Sequence, residues 1–397
     1  MRIFLSVLLM LYVLEAQSID NLVEQALKKH PSLQSIHYRL SSMDERIAKT
    51  QLWENPDLSF FVNDIQFEEP FNRSLEPMQF QAVNIKQKFP WFGKLAARKT
   101  YAQEQKNVVL DSYEAARIEL AKQVKMTAYT VKELEARMAV LRSYQHLAKE
   151  NIEIYTATIS TEPKSHTASI SAELSLFKIN IQLERYTALL QSQKEKLGYL
   201  TQQDIKTVSG KQGIERPLSL DHYLARYEHN PTYRMKLSQN RAAFANSSLV
   251  DLEATPDPYV QMGYFNRNSY PDYGSVTIGV SLPIYGKETL NSQIAKKEAL
   301  SAKSDVMDYK AFLQSEIRSN YARLNEAYRI YRIIQEKSLP QLSHMLELQA
   351  SAIKEGADLF TYTQTLEQQL ALEEESLSIK AEYLRTKATL HALIGEI

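Results

Sequence analysis

Between Gly274 and Tyr285 apolar residues alternate with small or polar ones. Val276, Ile278, Val280, Leu282 and Ile284 share one face, and Thr277, Gly279 and Ser281 share the other. A period of two predicts a strand. Tyr259 to Asn266 alternates in the same way, with Val260, Met262 and Tyr264 set against Gln261 and Gly263, and the polar, turn-rich segment Arg267 to Tyr273 separates the two. Leu58 to Phe67 and Met78 to Phe89 play the same parts earlier in the chain, joined by the charged, proline-bearing segment Glu68 to Pro77. An apolar face opposite a small and polar one, at this length, fits a tilted strand crossing a bilayer. Tyr and Phe gather near the strand ends, as interfacial aromatic girdles do. A pair of soluble hairpins capping a helical protein would show the same alternation. Four strands do not close a barrel, and open strand edges are not tolerated in lipid. A membrane reading therefore requires several copies of the chain to share one barrel.

The remaining pattern is helical. Lys94 to about Ser160 contains no proline and would extend roughly 100 Å as one helix. Lys287 to Lys354 is similar, with Pro340 expected to kink the helix or mark a change of pairing. Leu141, Tyr144, Leu147, Ala148, Ile152 and Tyr155 form a narrow apolar stripe among charges, as do Leu346, Leu348, Ala352 and Ile353. Such stripes predict coiled-coil seams rather than a thick globular core. Turns are expected near Thr161-Glu162-Pro163-Lys164 and Lys354-Glu355-Gly356-Ala357-Asp358, with return helices Ser165 to about Gln202 and Leu359 to about Gly395. Shorter helices, Ser32 to Trp53 and Thr232 to Ala254, precede the strands.

These elements occur twice in the same order, about two hundred residues apart, and such self-similarity decides how a fold is read. His30-Pro31 is matched by Asn230-Pro231. Asn55-Pro56-Asp57 is matched by Asp257-Pro258-Tyr259, each with a proline that opens a strand. The strand-to-helix corners Phe89-Pro90-Trp91-Phe92-Gly93-Lys94 and Leu282-Pro283-Ile284-Tyr285-Gly286-Lys287 correspond, with Pro90, Gly93, Pro283 and Gly286 at the same places. The expected fold is mainly α with a β-barrel portion. It is a duplicated half with long antiparallel coiled-coil helices and four transmembrane strands per protomer. Residues 17–202 form the first repeat, 203–216 a linker and 217–397 the second repeat. Met1 to Ala16, with Arg2 before the apolar run Ile3 to Leu14, reads as a signal peptide, since the run is too short to span a bilayer comfortably.

Composition narrows the chemistry. Basic and acidic residues balance at 47 each, without the basic excess of a nucleic-acid-binding protein. Only ten glycines are present, and the helical stretches are rich in Ala, Leu, Glu, Lys and Gln. The absence of cysteine excludes disulfides, thiolate metal sites and a Cys nucleophile. The eight histidines form no ligand pair of metal-site spacing; His222 and His229 could share a helical face, but two ligands do not close a site. Glu373-Glu374-Glu375 reads as a solvated face. No phosphate loop, nucleophile elbow or paired-acid motif occurs, so neither catalysis nor a cofactor is expected.

The ordered, doubled set of motifs resembles the TolC-type outer-membrane efflux proteins over the whole of Ile19 to Ile397. It comprises Ala26-Leu27 through His30-Pro31, Asn55-Pro56-Asp57, Gln87 to Lys94, Leu282 to Gly286, and Leu390 to Gly395. The Phe-Pro-Trp-Phe-Gly-Lys form is most similar to the heavy-metal-efflux branch. The resemblance implies a homotrimer with a twelve-stranded barrel in the outer membrane of a Gram-negative bacterium and a helical tunnel in the periplasm. Its implied partners are outer-membrane lipid, a periplasmic adaptor and an inner-membrane pump of the resistance-nodulation-division type. It also implies passive transport, with acidic residues ringing the periplasmic entrance on the last inner helix. The matching positions here are Thr361 and Gln364, so that ring is absent at its usual place; Glu162, Glu355 and Asp358 are the nearby acids able to replace it. An exit duct for type I protein secretion fits the same fold, and a periplasmic coiled-coil scaffold with soluble hairpins is the reading of a different class.

Overall fold

The computed structural model describes residues 17–157, 163–210, 213–353 and 359–397. The expected signal peptide, residues 1–16, lies outside them. In chain order the elements are β1 (Gln17–Ser18), α1 (Ile19–Lys29), α2 (Pro31–Lys49), β2 (Asp57–Asn63), β3 (Phe80–Lys88), α3 (Lys94–Ala157), α4 (Pro163–Thr201), β4 (Val208–Ser209), α5 (Leu220–Leu224), α6 (Pro231–Glu253), β5 (Pro258–Asn266), β6 (Tyr273–Val280), α7 (Lys287–Ile333), a π-helical turn (Ile334–Ser338), α8 (Leu339–Ile353) and α9 (Leu359–Leu393). Pro31 and Pro231 each open a helix, where a missing N–H costs nothing. The described residues form two compact units, each assembled from both sequence repeats: one from those of 17–34, 115–230 and 312–397, the other from Ser35–Glu114 and Pro231–Ala311.

The second unit holds a four-stranded antiparallel sheet in the order β2-β3-β5-β6. The hairpins of the two repeats join through β3 and β5, with Val83 opposite Tyr264 and Ile85 opposite Met262. Three strands are shorter than the alternation predicts. β2 stops at Asn63 because Asp64 turns into a left-handed conformation, with φ 57°. β3 starts at Phe80 because Gln79 belongs to the preceding loop, where it is buried and bonds the backbone of Asp64, Asn72, Leu75 and Glu76. β6 ends at Val280 rather than Tyr285, because its ladder with β5 runs out opposite Pro258.

The first unit is helical. Leu141, Tyr144, Ile179 and Leu370 are buried together, flanked by Leu183, Tyr186 and Leu366. The predicted seam thus holds at Leu141, Tyr144 and Leu346, whereas Leu147 and Leu348 are exposed. Pro340 breaks the regular ladder as expected: the π-helical turn Ile334–Ser338 ends two residues before it. A proline ring collides with the carbonyl four residues back, here Glu336, and a widened turn relieves that collision. The segment read as a linker carries β4, which pairs in parallel with β1.

Candidate functional site

The sheet separates two chemistries. On one face Leu58, Phe60, Val83, Ile85, Met262, Tyr264, Val276, Ile278 and Val280 are side by side in register. All are exposed, Leu58 at 74% and Ile278 at 77%. An apolar patch that spans four strands is not a surface that water tolerates without a partner. On the opposite face stand Ser59, Asn84, Lys86, Gln261, Ser275 and Thr277. Gly279 lies under Tyr259, whose ring occupies the space a Cβ would need, so only glycine permits the approach. Tyr259 in turn carries the Lys86 ammonium 4.1 Å above its ring centre.

The aromatics at the two ends of the sheet differ. At the helix end Trp53, Phe92 and Tyr285 are exposed, as an interfacial girdle requires. At the loop end Phe61, Phe80, Phe265 and Tyr273 pack edge to face or stacked, with 4.6 Å between the Phe265 and Tyr273 ring centres. Their register places these four on the polar face, whereas Tyr264 beside them is exposed on the apolar face.

The two strand-to-helix corners share a backbone but not an environment. Gly93 and Gly286 take φ of +85° and +74°, which a side chain would strain, and each accepts the first backbone bond of its helix, from Ala97 and Leu290. After Gly93, Lys94 is almost completely buried. Its Nζ donates to the Thr255 carbonyl at 2.7 Å and pairs with Asp257 at 2.8 Å and Glu253 at 3.7 Å. Asp257 also accepts from the Trp91 N–H at 2.7 Å, and Arg98 holds Glu253 at 2.7 Å. Burial works against the Asp257 charge, but the hydrogen bonds from Lys94 and Trp91 and the Lys94 and Arg98 charges prevail, and its carboxyl is held below the usual range. After Gly286, by contrast, Lys287 is exposed. The sequence pairs Pro258 with Pro56 as the strand-opening proline. Counted from the helix starts at Pro31 and Pro231, however, the segment equivalent to Asn55-Pro56-Asp57 is Thr255-Pro256-Asp257, the one that receives Lys94.

Thr361 and Gln364 are exposed in the first turns of α9. Glu162, Glu355 and Asp358 lie outside the described residues. Glu373 and Glu374 are not the solvated face the sequence suggested: both are half-buried, accepting from the hydroxyls of Tyr144 at 3.1 Å and Tyr186 at 2.9 Å. Burial first pushes both phenols up, with Glu373 adding to it at Tyr144, and with the Arg137 bond opposing it and Glu374 adding to it at Tyr186. The Tyr186 hydroxyl also accepts from Arg137, which pairs with Glu133, itself bridged to Arg385 at 2.7 Å. This network clamps α3, α4 and α9 together, and the helical period alone does not reveal it. His222 belongs to α5 and His229 to a separate 3₁₀ turn. Among the described residues no three His, Asp or Glu converge as metal ligands.

Residues 22–201 match the family model described as outer membrane efflux protein. No curated protein matches the chain in sequence. The fold is that of solved outer-membrane channels. The Campylobacter jejuni CmeC outer membrane channel superposes with a TM-score of 0.77 at 15% identity, over 95% of this chain and 85% of that one. The outer membrane protein VceC from Vibrio cholerae gives 0.76 at 15% identity, over 95% and 96%. The open state of the Neisseria gonorrhoeae MtrE outer membrane channel gives 0.70 at 14% identity, over 95% and 89%.

Proposed function

We propose that this chain, whose residues 22–201 form an outer membrane efflux protein domain, is the passive outer-membrane duct of a tripartite efflux system. The carrying observation is the sheet. One face is apolar and exposed across all four strands, the other is polar, and β2 and β6 each have one unpaired edge. Lipid satisfies the first face and a water-filled lumen the second. The unpaired edges need further copies of the chain, because an open edge in hydrocarbon leaves backbone groups without partners. Three copies would make a twelve-stranded barrel. Energy would come from an inner-membrane pump of the resistance-nodulation-division type, reached through a periplasmic adaptor. The cargo would be small molecules or metal ions. No helix among the described residues is long and apolar enough to cross a membrane.

The periplasmic entrance in this reading is at the ends of the helical hairpins. Glu162, Glu355 and Asp358 would supply the field that Thr361 and Gln364 do not. The test is single-channel recording from detergent-purified protein in planar bilayers, with mass measured by light scattering. Discrete, ion-biased openings from a trimer are expected. A monomer that stays in solution without detergent and conducts nothing overturns the reading.

A further inference from the structure

The two corners differ because one finds its acceptor within the chain and the other does not. Lys94 leaves β3 and docks on the Thr255-Pro256-Asp257 turn at the foot of β5, the strand paired with β3. Lys287 leaves β6 from the same corner motif, and among the described residues no strand pairs with the outer edge of β6. The turn equivalent to Thr255-Pro256-Asp257 is Asn55-Pro56-Asp57 at the foot of β2, the strand with the other unpaired edge. Asp57 is exposed, and among the described residues the side chains of Asp57 and Lys287 have no hydrogen bond or ion pair. The backbone repeats the pattern. The Trp91 N–H bonds Asp257, whereas its counterpart, the Ile284 N–H, falls back on the Leu282 carbonyl only two residues away.

We infer that Lys287 of one protomer docks on the Asn55-Pro56-Asp57 turn of a second copy of this chain, repeating across the protomer boundary the bridge that Lys94 makes to Asp257 within it. The inference rests on the duct reading and adds to it the residues that join the barrel and the register in which they join. Lys287 Nζ donates to the Asn55 carbonyl and the Asp57 carboxylate of the second copy, and the Ile284 N–H is released to the same carboxylate. The Phe89 N–H donates to the Pro258 carbonyl at 2.8 Å, so Leu282 takes the corresponding position opposite Leu58 of the second copy. Val280 then faces Phe60, and Ile278 faces Val62, which keeps all six on the apolar face. Ser281 faces Ser59 on the polar face. The two hairpins themselves differ by a two-residue slip: Asp57 pairs with Lys86, whereas Tyr259, not Asp257, pairs with Gly279. The corner and its proline turn therefore set the register of the new pair. The second bridge is the weaker, because Trp53 stands where Glu253 adds charge beside Lys94.

The chain has no cysteine, so introduced pairs report without background. Ser59 and Ser281 form a pair of the kind that exchanges no ladder bonds, in which Cα atoms lie about 4.5 Å apart, within disulfide reach. Mild oxidation of the S59C/S281C protein should give covalent dimers and trimers on non-reducing gels, and F61C/S281C, one slip away, should not. Single reversal, Asp57→Lys or Lys287→Asp, should lower the trimer fraction at limiting protein concentration about ten-fold per interface, and the double reversal should restore it. Cross-linking at the slipped pair, or a double reversal no better than the singles, overturns the inference while leaving a trimeric duct intact. A wild-type protein that is monomeric by light scattering overturns the duct reading itself.

Discussion

Replacing Lys94 by Met keeps the apolar stem and removes only the charge from a side chain that is almost completely buried. The ammonium makes a 2.7 Å bond to the Thr255 carbonyl and a 2.8 Å pair with Asp257. Breaking a fully buried pair costs about 3–5 kcal/mol. Here the losses are softened: Asp257 is 30% exposed and keeps the Trp91 N–H, and Glu253 keeps Arg98. The expected loss is therefore about 2–3 kcal/mol. Asp257→Asn should cost about 2 kcal/mol alone and much less when combined with K94M, a coupling of about 1–2 kcal/mol. The assay is denaturant unfolding in detergent followed by tryptophan fluorescence, which reports this region because the only two tryptophans are Trp53 and Trp91. A pH series adds an independent arm. The Asp257 carboxyl is held below its ordinary range, so its contribution is complete above the unfolded value of about 3.9 and is lost as pH falls through the folded one. K94M should flatten that acid limb. A coupling under about 0.5 kcal/mol, with the acid limb unchanged, refutes the buried bridge as the fastener of this corner.

The two faces of β6 should respond oppositely to charge: Ile278→Arg should cost about 2–4 kcal/mol in bilayer insertion, whereas Thr277→Arg should insert normally and shift ion preference in single-channel recordings. Tyr186→Phe removes the hydroxyl shared by Arg137 and Glu374 and should destabilise by about 1 kcal/mol, read as a lower unfolding midpoint. Burial holds the His391 imidazole below its ordinary range, with Glu396 opposing, so its neutral form stabilises the fold above about pH 6.5 and that contribution is lost as pH falls below it. His391→Gln should therefore reduce the drop in thermal midpoint between about pH 7 and pH 5. Asp358→Asn or Glu355→Gln should alter cation preference more than Glu373→Gln, whose acid is engaged by Tyr144; equal effects from all three in bilayer recordings would remove Asp358 and Glu355 from the entrance.

The strand faces were legible in the sequence because a period of two is a local signal, and Val276, Ile278 and Val280 carry it without help from distant residues. The positions of Gly93 and Gly286 were legible for the same reason: a corner requiring positive φ leaves a glycine wherever it recurs. What was not legible depends on partners. The end of β6 is set by Pro258 on the neighbouring strand, and the fates of Glu373 and Glu374 are set by two tyrosines more than 180 residues earlier. Nothing in a run of three glutamates distinguishes a solvated face from a set of phenol acceptors. The loop-end aromatics make the same point: their positions along the strand were visible, but the sheet register decides which face they occupy.

The duplication also explains why one motif has two fates. Gene-level repetition gives each half the same corner and the same proline turn, and each corner is complementary to the turn of the other half rather than to its own. Within one chain only one of the two pairings can be made, that between Lys94 and Asp257. The second pairing is left with complementary ends on opposite edges of one sheet, Asp57 at the start of β2 and Lys287 beyond β6. A surface of that kind is heterologous, and heterologous surfaces either propagate without limit or close into a ring. Strand twist in general curves a sheet, which favours closure. Closure removes every edge that lipid would otherwise leave unsatisfied. The exposed lysine is therefore the same element as the buried one, waiting for the acceptor that the next copy brings.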